Sequence, residues 1–438
     1  MRSMGNERGA IPGRVAAVLA AAVLLVSACG GSASSPSVAA SAPASVASSA
    51  AASTAAGGTL NVVVADYTTD SDNWWKNTFV PAFQQKTGIT VNLQVMSWAD
   101  IHQKVASMVQ TGQAPDILNI DTYANYAEQG LLLPVSSVIS PATQADIVPA
   151  LLKSGEYNGT GYAMPIIASS NILYYNTDLF TKAGISGPPT SWADIQADAQ
   201  KISALPGGYI GYAMQLGPQV PQTEWSVWQW AGGGDYKTNG AWSLNTPANV
   251  ATLSFMSDLA NKYKVTEVNP GKTNMVDGTW PLFIQGKAGM VIGNPAVGHQ
   301  IATKATGVKW AAVPFPSMNA GGKGVVLGIA DYIMAFKQKT DNTAAVKQFL
   351  DAFYAQQAYG EFAKLSTLLP ATTSGAATMS SDPNLKPFID ALAQATFTPA
   401  QDPGWDKVLG AMKTYMGLGL QGTSATDTLN QVQTAIGN

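Results

Sequence analysis

Carboxylates and aromatic rings stand side by side at two places early in the chain, Asp66-Tyr67 and Asp121-Thr122-Tyr123. Each follows a short apolar run, Leu60-Asn61-Val62-Val63-Val64-Ala65 and Pro115-Asp116-Ile117-Leu118-Asn119-Ile120. Such runs predict buried strands, and α/β sheets bind ligands beyond the carboxyl ends of their strands. A third carboxylate, Asp331, falls inside the apolar run Val325–Phe336. An unpaired charge there is costly, so it needs a partner, and a hinge hydrogen bond and a ligand compete for that role. Metal and nucleophilic chemistry is poorly served. The chain has a single Cys and two His, His102 and His299, far apart. No CxxC spacing, GxSxG, HExxH, P-loop or strand-following GxGxxG occurs. Neither an internal disulfide, a metal site nor a cofactor is expected.

Of the 438 residues only 12% are charged, 24 Lys+Arg against 27 Asp+Glu, a net charge of −3. That is roughly half the ~25% usual for soluble domains, and it excludes long-range attraction to nucleic acid. The length suits two to three domains at about 150 residues each.

The N-terminus reads as an address. Arg2, Arg8 and Arg14 precede the apolar run Val15–Val26, which as a helix would rise only ~18 Å, too little to span a bilayer. This is the pattern of a secretory signal. Its end, Val26-Ser27-Ala28-Cys29-Gly30, resembles a bacterial lipobox. The resemblance implies a signal over residues 1–28 and a lipid on Cys29 that anchors the chain to the outer face of the cell membrane. Residues 29–58 are then a tether rich in Ala and Ser, with no charge between Arg14 and Asp66. It is too polar and too small in side chain to order itself, and as a coil it reaches about 30 Å.

The elements that must position the carboxylates alternate. After the first strand, apolar Trp75, Phe79, Ala82 and Phe83 predict a helix over Trp74–Thr87 that stops at Gly88. A strand over Ile89–Val95, a helix over Asp100–Gln110 and the third strand complete a βαβαβ order, which favours a parallel sheet. Further strands are expected at Tyr162–Tyr175, Gly207–Gln215, Ala288–Gly293, Trp310–Pro314 and Val325–Phe336. Helices are expected at Trp192–Leu205, Trp225–Ala231, Asn249–Tyr263, Thr343–Leu365, Trp405–Met416 and Asp427–Ile436.

Four ordered segments carry a family resemblance. They are Gly112-Gln113-Ala114-Pro115-Asp116-Ile117 with Tyr126-Ala127-Glu128-Gln129-Gly130-Leu131-Leu132; Tyr162-Ala163-Met164-Pro165 with Tyr174-Tyr175-Asn176-Thr177-Asp178-Leu179-Phe180 and Pro188-Pro189-Thr190-Ser191-Trp192; Gly286-Lys287-Ala288-Gly289-Met290; and Lys347-Gln348-Phe349-Leu350 with Thr367-Leu368-Leu369-Pro370. From Thr59 onward the chain thus resembles the extracellular solute-binding proteins of the maltose-binding type, the receptors of ABC importers. The resemblance implies an α/β fold of two lobes, with a ligand cleft between them and a hinge of several chain crossings. One lobe would combine residues 59–168 and 331–372, the other 169–330 and 373–438. It also implies a non-enzymatic monomer that hands its ligand to permease subunits in the membrane.

The cleft positions implied by the resemblance are Asp66, Tyr67, Asp121, Ser169, Ser170, Trp225, Asn294, Asp331 and Trp405. They are acidic, neutral-polar or aromatic. Sugars offer hydroxyls around a rim and C–H groups on their faces, which such a set satisfies, whereas an anion would call for Arg, Lys or helix N-termini. A mono- or oligosaccharide is therefore the expected ligand. The chain departs from the family at Gly293-Asn294-Pro295-Ala296-Val297, where many relatives carry a Trp, and this weighs against a long maltodextrin. Two other readings stay open: a receptor for a glycerophosphodiester or peptide, and a lipid-anchored glycosidase using Asp66 and Asp121.

Overall fold

The computed structural model describes residues 58–437 apart from 305, 380, 381, 383 and 393. The signal, Cys29 and most of the tether lie outside the described residues. The strands that build the site are β1 (Thr59–Ala65), β2 (Thr90–Met96), β3 (Ile117–Ile120), β4 (Ala163–Asn176), β5 (Ile210–Ala213), β6 (Ala288–Gly293), β7 (Trp310–Val313) and β8 (Leu327–Ala335). β1 lies between β2 and β3 and runs parallel to both, with Val62 opposite Leu93 and Ile117. β8 pairs antiparallel with β3, placing Ile333 opposite Asn119, and with the first part of β4. The last part of β4 belongs to a second sheet, between β6 and β7, with Leu173 opposite both Ile292 and Val313; β5 then adds parallel to β6.

The two sheets thus share one strand. β4 is 14 residues long and buried at every position but Tyr175, so the apolar residues on both of its faces serve two cores. Leu369–Pro370 pairs with Ala168 and Ile167 and brings the chain back across the same place. Here the ladder between β8 and β4 slips: Asp331 faces Ile167 while Tyr332 faces Pro165, leaving Ile166 as the extra residue of a bulge. The displaced carbonyls are satisfied by tyrosines, since Tyr354 donates to Pro165 O at 2.9 Å and Tyr359 to Ile166 O at 2.7 Å. Bulges redirect side chains beside functional sites, and this one sits next to Asp331.

Around the first sheet, the helical run Thr69–Thr87 starts on a Thr68–Ser71 capping box and ends at Gly88, whose φ of 72° suits glycine. Its Trp74, Trp75, Phe79 and Phe83 pack with Phe349, Phe353 and Phe362. Trp75 stacks on Phe353 with ring centres 4.9 Å apart. The single helix expected over Thr343–Leu365 is two, Thr343–Phe353 and Gln356–Ser366, divided at Ala355, whose ψ of 134° is extended. Apolar spacing continues through both halves, so periodicity alone could not locate the break. The second sheet is covered by Tyr174, Phe283, Val291 and Val297.

Candidate functional site

One cavity opens where the carboxyl ends of β1 and β3 face the second sheet. It is lined by Asp66, Tyr67, Asp121, Ser169, Asn294 and Asp331, with Trp98, Gln219, Gln222, Thr223, Met275 and Trp280 completing its walls. A second space at the mouth shares Asp66, Tyr67 and Val276 and adds His299 and Lys304. Among the described residues, no Lys, Arg or His lines the inner cavity.

The wall from the first sheet is built on Asn119 of β3. Its side chain accepts from the Ala65 amide at 3.3 Å and donates to Tyr332 O at 3.0 Å and to the Tyr67 hydroxyl at 3.1 Å. With its acceptor side taken, Tyr67 turns its proton toward Asp331. Trp98, two residues beyond β2, meets the Tyr67 ring edge-on at 5.8 Å. Asp331 is buried, and that burial together with the Asp121 charge pushes its carboxyl up to about 8, against the opposing Tyr67 hydroxyl and His102. Its carboxyl is thereby biased toward the protonated form near neutral pH. Burial would also raise Asp121, but His102, 2.9 Å away, holds it below its ordinary value and therefore ionised. One wall thus offers an acid that donates and a carboxylate that accepts.

The opposite wall is neutral. Asn294 caps the helix Pro295–Thr303, its Oδ1 accepting from the Ala296 amide at 3.0 Å. Asn at the cap and Pro in the first turn are a strong helix start. Asn294 also lines the cavity. Gln219 accepts from the Val276 amide at 3.0 Å. The Oε1 of Gln222 is buried with no protein partner, so it is open to a hydrogen bond from water or a bound group. Trp280 donates to Ile292 O at 3.1 Å, which fixes its ring.

Three expected site residues are not brought to the cavity. Ser170 turns away and donates to Phe388 O at 2.8 Å. Trp405 is 1% exposed, enclosed by Tyr236 at 4.8 Å and by a stacked Trp242 at 6.1 Å. Trp225 is fully buried, and its indole N–H has no protein partner. Trp405 opens the helix Trp405–Tyr415 and Trp225 lies inside the helix Pro221–Ala231, which begins four residues before the Trp225 start expected from the sequence; both face core, and residue type could not say which side of the wall they occupy. Conversely, Trp98, Trp280, Gln219 and Gln222 were not singled out. Trp98 was within reach, because it follows its strand as Asp66 and Asp121 follow theirs. Gln219 sits in the irregular stretch before the helix Pro221–Ala231 and Gln222 in that helix's first turn, and neither position carries a pattern pointing inward.

The family of bacterial extracellular solute-binding proteins matches residues 65–359. The chain belongs to that family. Among curated relatives of this solute-binding protein, the diacetylchitobiose binding protein DasA of Streptomyces coelicolor is 23% identical over 404 residues, 86% of this chain and 88% of DasA. Among solved structures, an ABC transporter solute-binding protein of Thermotoga lettingae bound with alpha-D-tagatose aligns at a TM-score of 0.74 and 19% identity, covering 87% of this chain and 100% of that one. Maltose-bound MalE3 of T. maritima aligns at 0.73 and 21%, covering 87% and 99%. At such identities these structures speak for the fold, which is the two-lobed α/β architecture with a cleft between lobes.

Proposed function

We propose that this solute-binding protein captures a mono- or short oligosaccharide between its lobes and delivers it to the permease of an ABC importer. The observation that carries the reading is the lining of the cavity: Asp66, Asp121 and Asp331 with Tyr67 and Trp98 on one side, and Gln219, Gln222, Asn294 and Trp280 on the other. Carboxylates and amides match hydroxyls, and the rings match C–H faces. A phosphodiester would place its anion against the Asp121 carboxylate in a cavity that, among the described residues, no Lys, Arg or His lines. The sugars named for DasA, the tagatose-bound protein and MalE3 support the same class. The hinge is the crossing at Ala168-Ser169, β8 and Leu369–Pro370, so the lobes are residues 59–168 with 331–372 and 169–330 with 373–438. Ligand contacts made only in the closed form drive closure.

Calorimetric titration of the intact chain against monosaccharides, disaccharides, glycerophosphodiesters and short peptides tests the assignment. Micromolar or tighter binding of a saccharide is expected, with the sugar recovered unchanged after long incubation. Silence across the sugars, or hydrolysis products, defeats it. Lipid anchoring through Cys29 predicts that Cys29→Ala moves the protein from the membrane fraction to the soluble one.

A further inference from the structure

His102 takes no part in lining the cavity, yet it lies at the junction of the two lobes. It is buried in the first turn of the helix Ile101–Gln110, which follows β2. Its Nδ1 is hydrogen-bonded to Asp406 Oδ1 at 2.9 Å, and its Nε2 lies 2.9 Å from Asp121 Oδ1, an ion-pair contact that is not aligned as a hydrogen bond. Asp121 stands at the end of β3. Asp406 belongs to the helix Trp405–Tyr415, which packs on the helices Ala425–Ile436 and Pro221–Ala231 of the other lobe. A neutral imidazole has one N–H and one lone pair, so it can serve only one of two carboxylates. Carboxylate oxygens 2.9 Å from both ring nitrogens favour the imidazolium.

We propose that protonated His102 is a latch, holding the lobes together by bridging the ligand-binding carboxylate Asp121 of one to Asp406 of the other. Two neighbouring contacts run between the same elements. Thr122 Oγ1 donates to Asp406 Oδ1 at 3.4 Å, and Lys413, on the Asp406 helix, donates to the Trp98 carbonyl. The latch therefore also ties down the segment that carries Trp98. The charged groups around His102 are Asp121 and, farther off, Asp331 from the first lobe, and Asp406 and Lys413 from the second; Asp100 lies beside Lys413. Burial disfavours the His102 charge, but Asp121 and then Asp406 outweigh it and hold the proton above the ordinary 6.5.

The sign follows. Opening removes Asp406 but leaves Asp121, so His102 binds its proton more tightly closed than open. The latch is complete below the open-form value and is lost as pH rises through the higher closed-form value. Asp331, with its carboxyl pushed up to about 8, also changes charge between pH 6 and pH 9 and must be separated in the test. The inference rests on the proposed hinge closure but not on the identity of the ligand.

The test measures the distance between spin labels on Gln85→Cys and Ser254→Cys, exposed positions on the two lobes, in the intact Cys29→Ala chain without ligand. The distance is expected to be short at pH 6 and longer at pH 9. His102→Gln and Asp406→Asn should each give the long distance at both pH values, and Asp331→Asn should keep the wild-type response. A wild-type distance independent of pH, or a His102→Gln protein as closed and as pH-responsive as wild type, overturns the latch. Should His102→Gln not fold, Asp406→Asn decides from the other lobe. Nitrogen-detected NMR of the two histidines, assigned with His299→Gln, gives an independent readout. His102 is expected with both ring nitrogens protonated at pH 7, and a neutral ring contradicts the proposal. A silent sugar panel leaves both measurements valid.

Discussion

The two walls of the cleft are built differently. One wall stands at strand ends and concentrates ionisable groups, Asp66, Tyr67, Asp121 and Asp331, together with Trp98. The other comes from helix starts and loops and offers amides, a hydroxyl and apolar surface through Gln219, Gln222, Thr223, Asn294, Met275 and Trp280. The difference suggests a division of labour. A strand-end wall, held rigid by the Asn119 hydrogen bonds, can hold charged acceptors at fixed positions. The neutral wall can close over a hydroxyl-bearing ligand without adding charge repulsion.

That contrast breaks first at Trp405. If it is core, as its enclosure by Tyr236 and Trp242 indicates, Trp405→Ala costs about 3–5 kcal/mol of stability, read by denaturant unfolding. A fully stable variant with lost affinity would instead make the second wall aromatic. Next comes Asp331. Because its folded value is raised from 3.8 to about 8, the folded state binds the extra proton between those values and stability falls as pH rises through them. Replacing it with Asn should flatten that decline by an amount on the order of a few kcal/mol, seen in melts from pH 4 to 9. Glu224, buried behind the neutral wall and pushed to about 8 by burial, should behave alike in Glu224→Gln but without changing ligand affinity.

Asp121→Asn removes a charged acceptor and should weaken saccharide binding by about 1.5–3 kcal/mol. Trp98→Ala should cost about 1–3 kcal/mol of binding, as a contact aromatic does, with little change in folding. Gln222→Ala should cost about 0.5–1.5 kcal/mol. If calorimetry ranked Gln222 above Asp121, the assignment of acceptor strength to the first wall would be reversed.

Much of this arrangement was legible in the sequence, for identifiable reasons. Strand ends are local features, so Asp66-Tyr67 and Asp121 could be placed from the β-branched runs before them. Asp331 announced itself as a charge in an apolar strand. What the sequence could not convey was which face of a helix looks into the cleft. Trp225 and Trp405 have the residue type of a stacking platform, but long-range packing turns them inward. Gln219 and Gln222 occupy a loop and the helix start that follows it, whose direction depends on tertiary neighbours. The pairing of His102 with Asp406 joins residues 304 positions apart, and no local pattern reports it.

The most direct measurement is a crystal structure of the protein with a saccharide selected by titration. The account predicts the sugar between the two walls, a ring face against Trp98 or Trp280, and hydroxyls on Asp121, Asp331 and the amides of Gln222 and Asn294. A sugar bound outside this cavity, or stacked on an exposed Trp405 with the carboxylates unused, would contradict it.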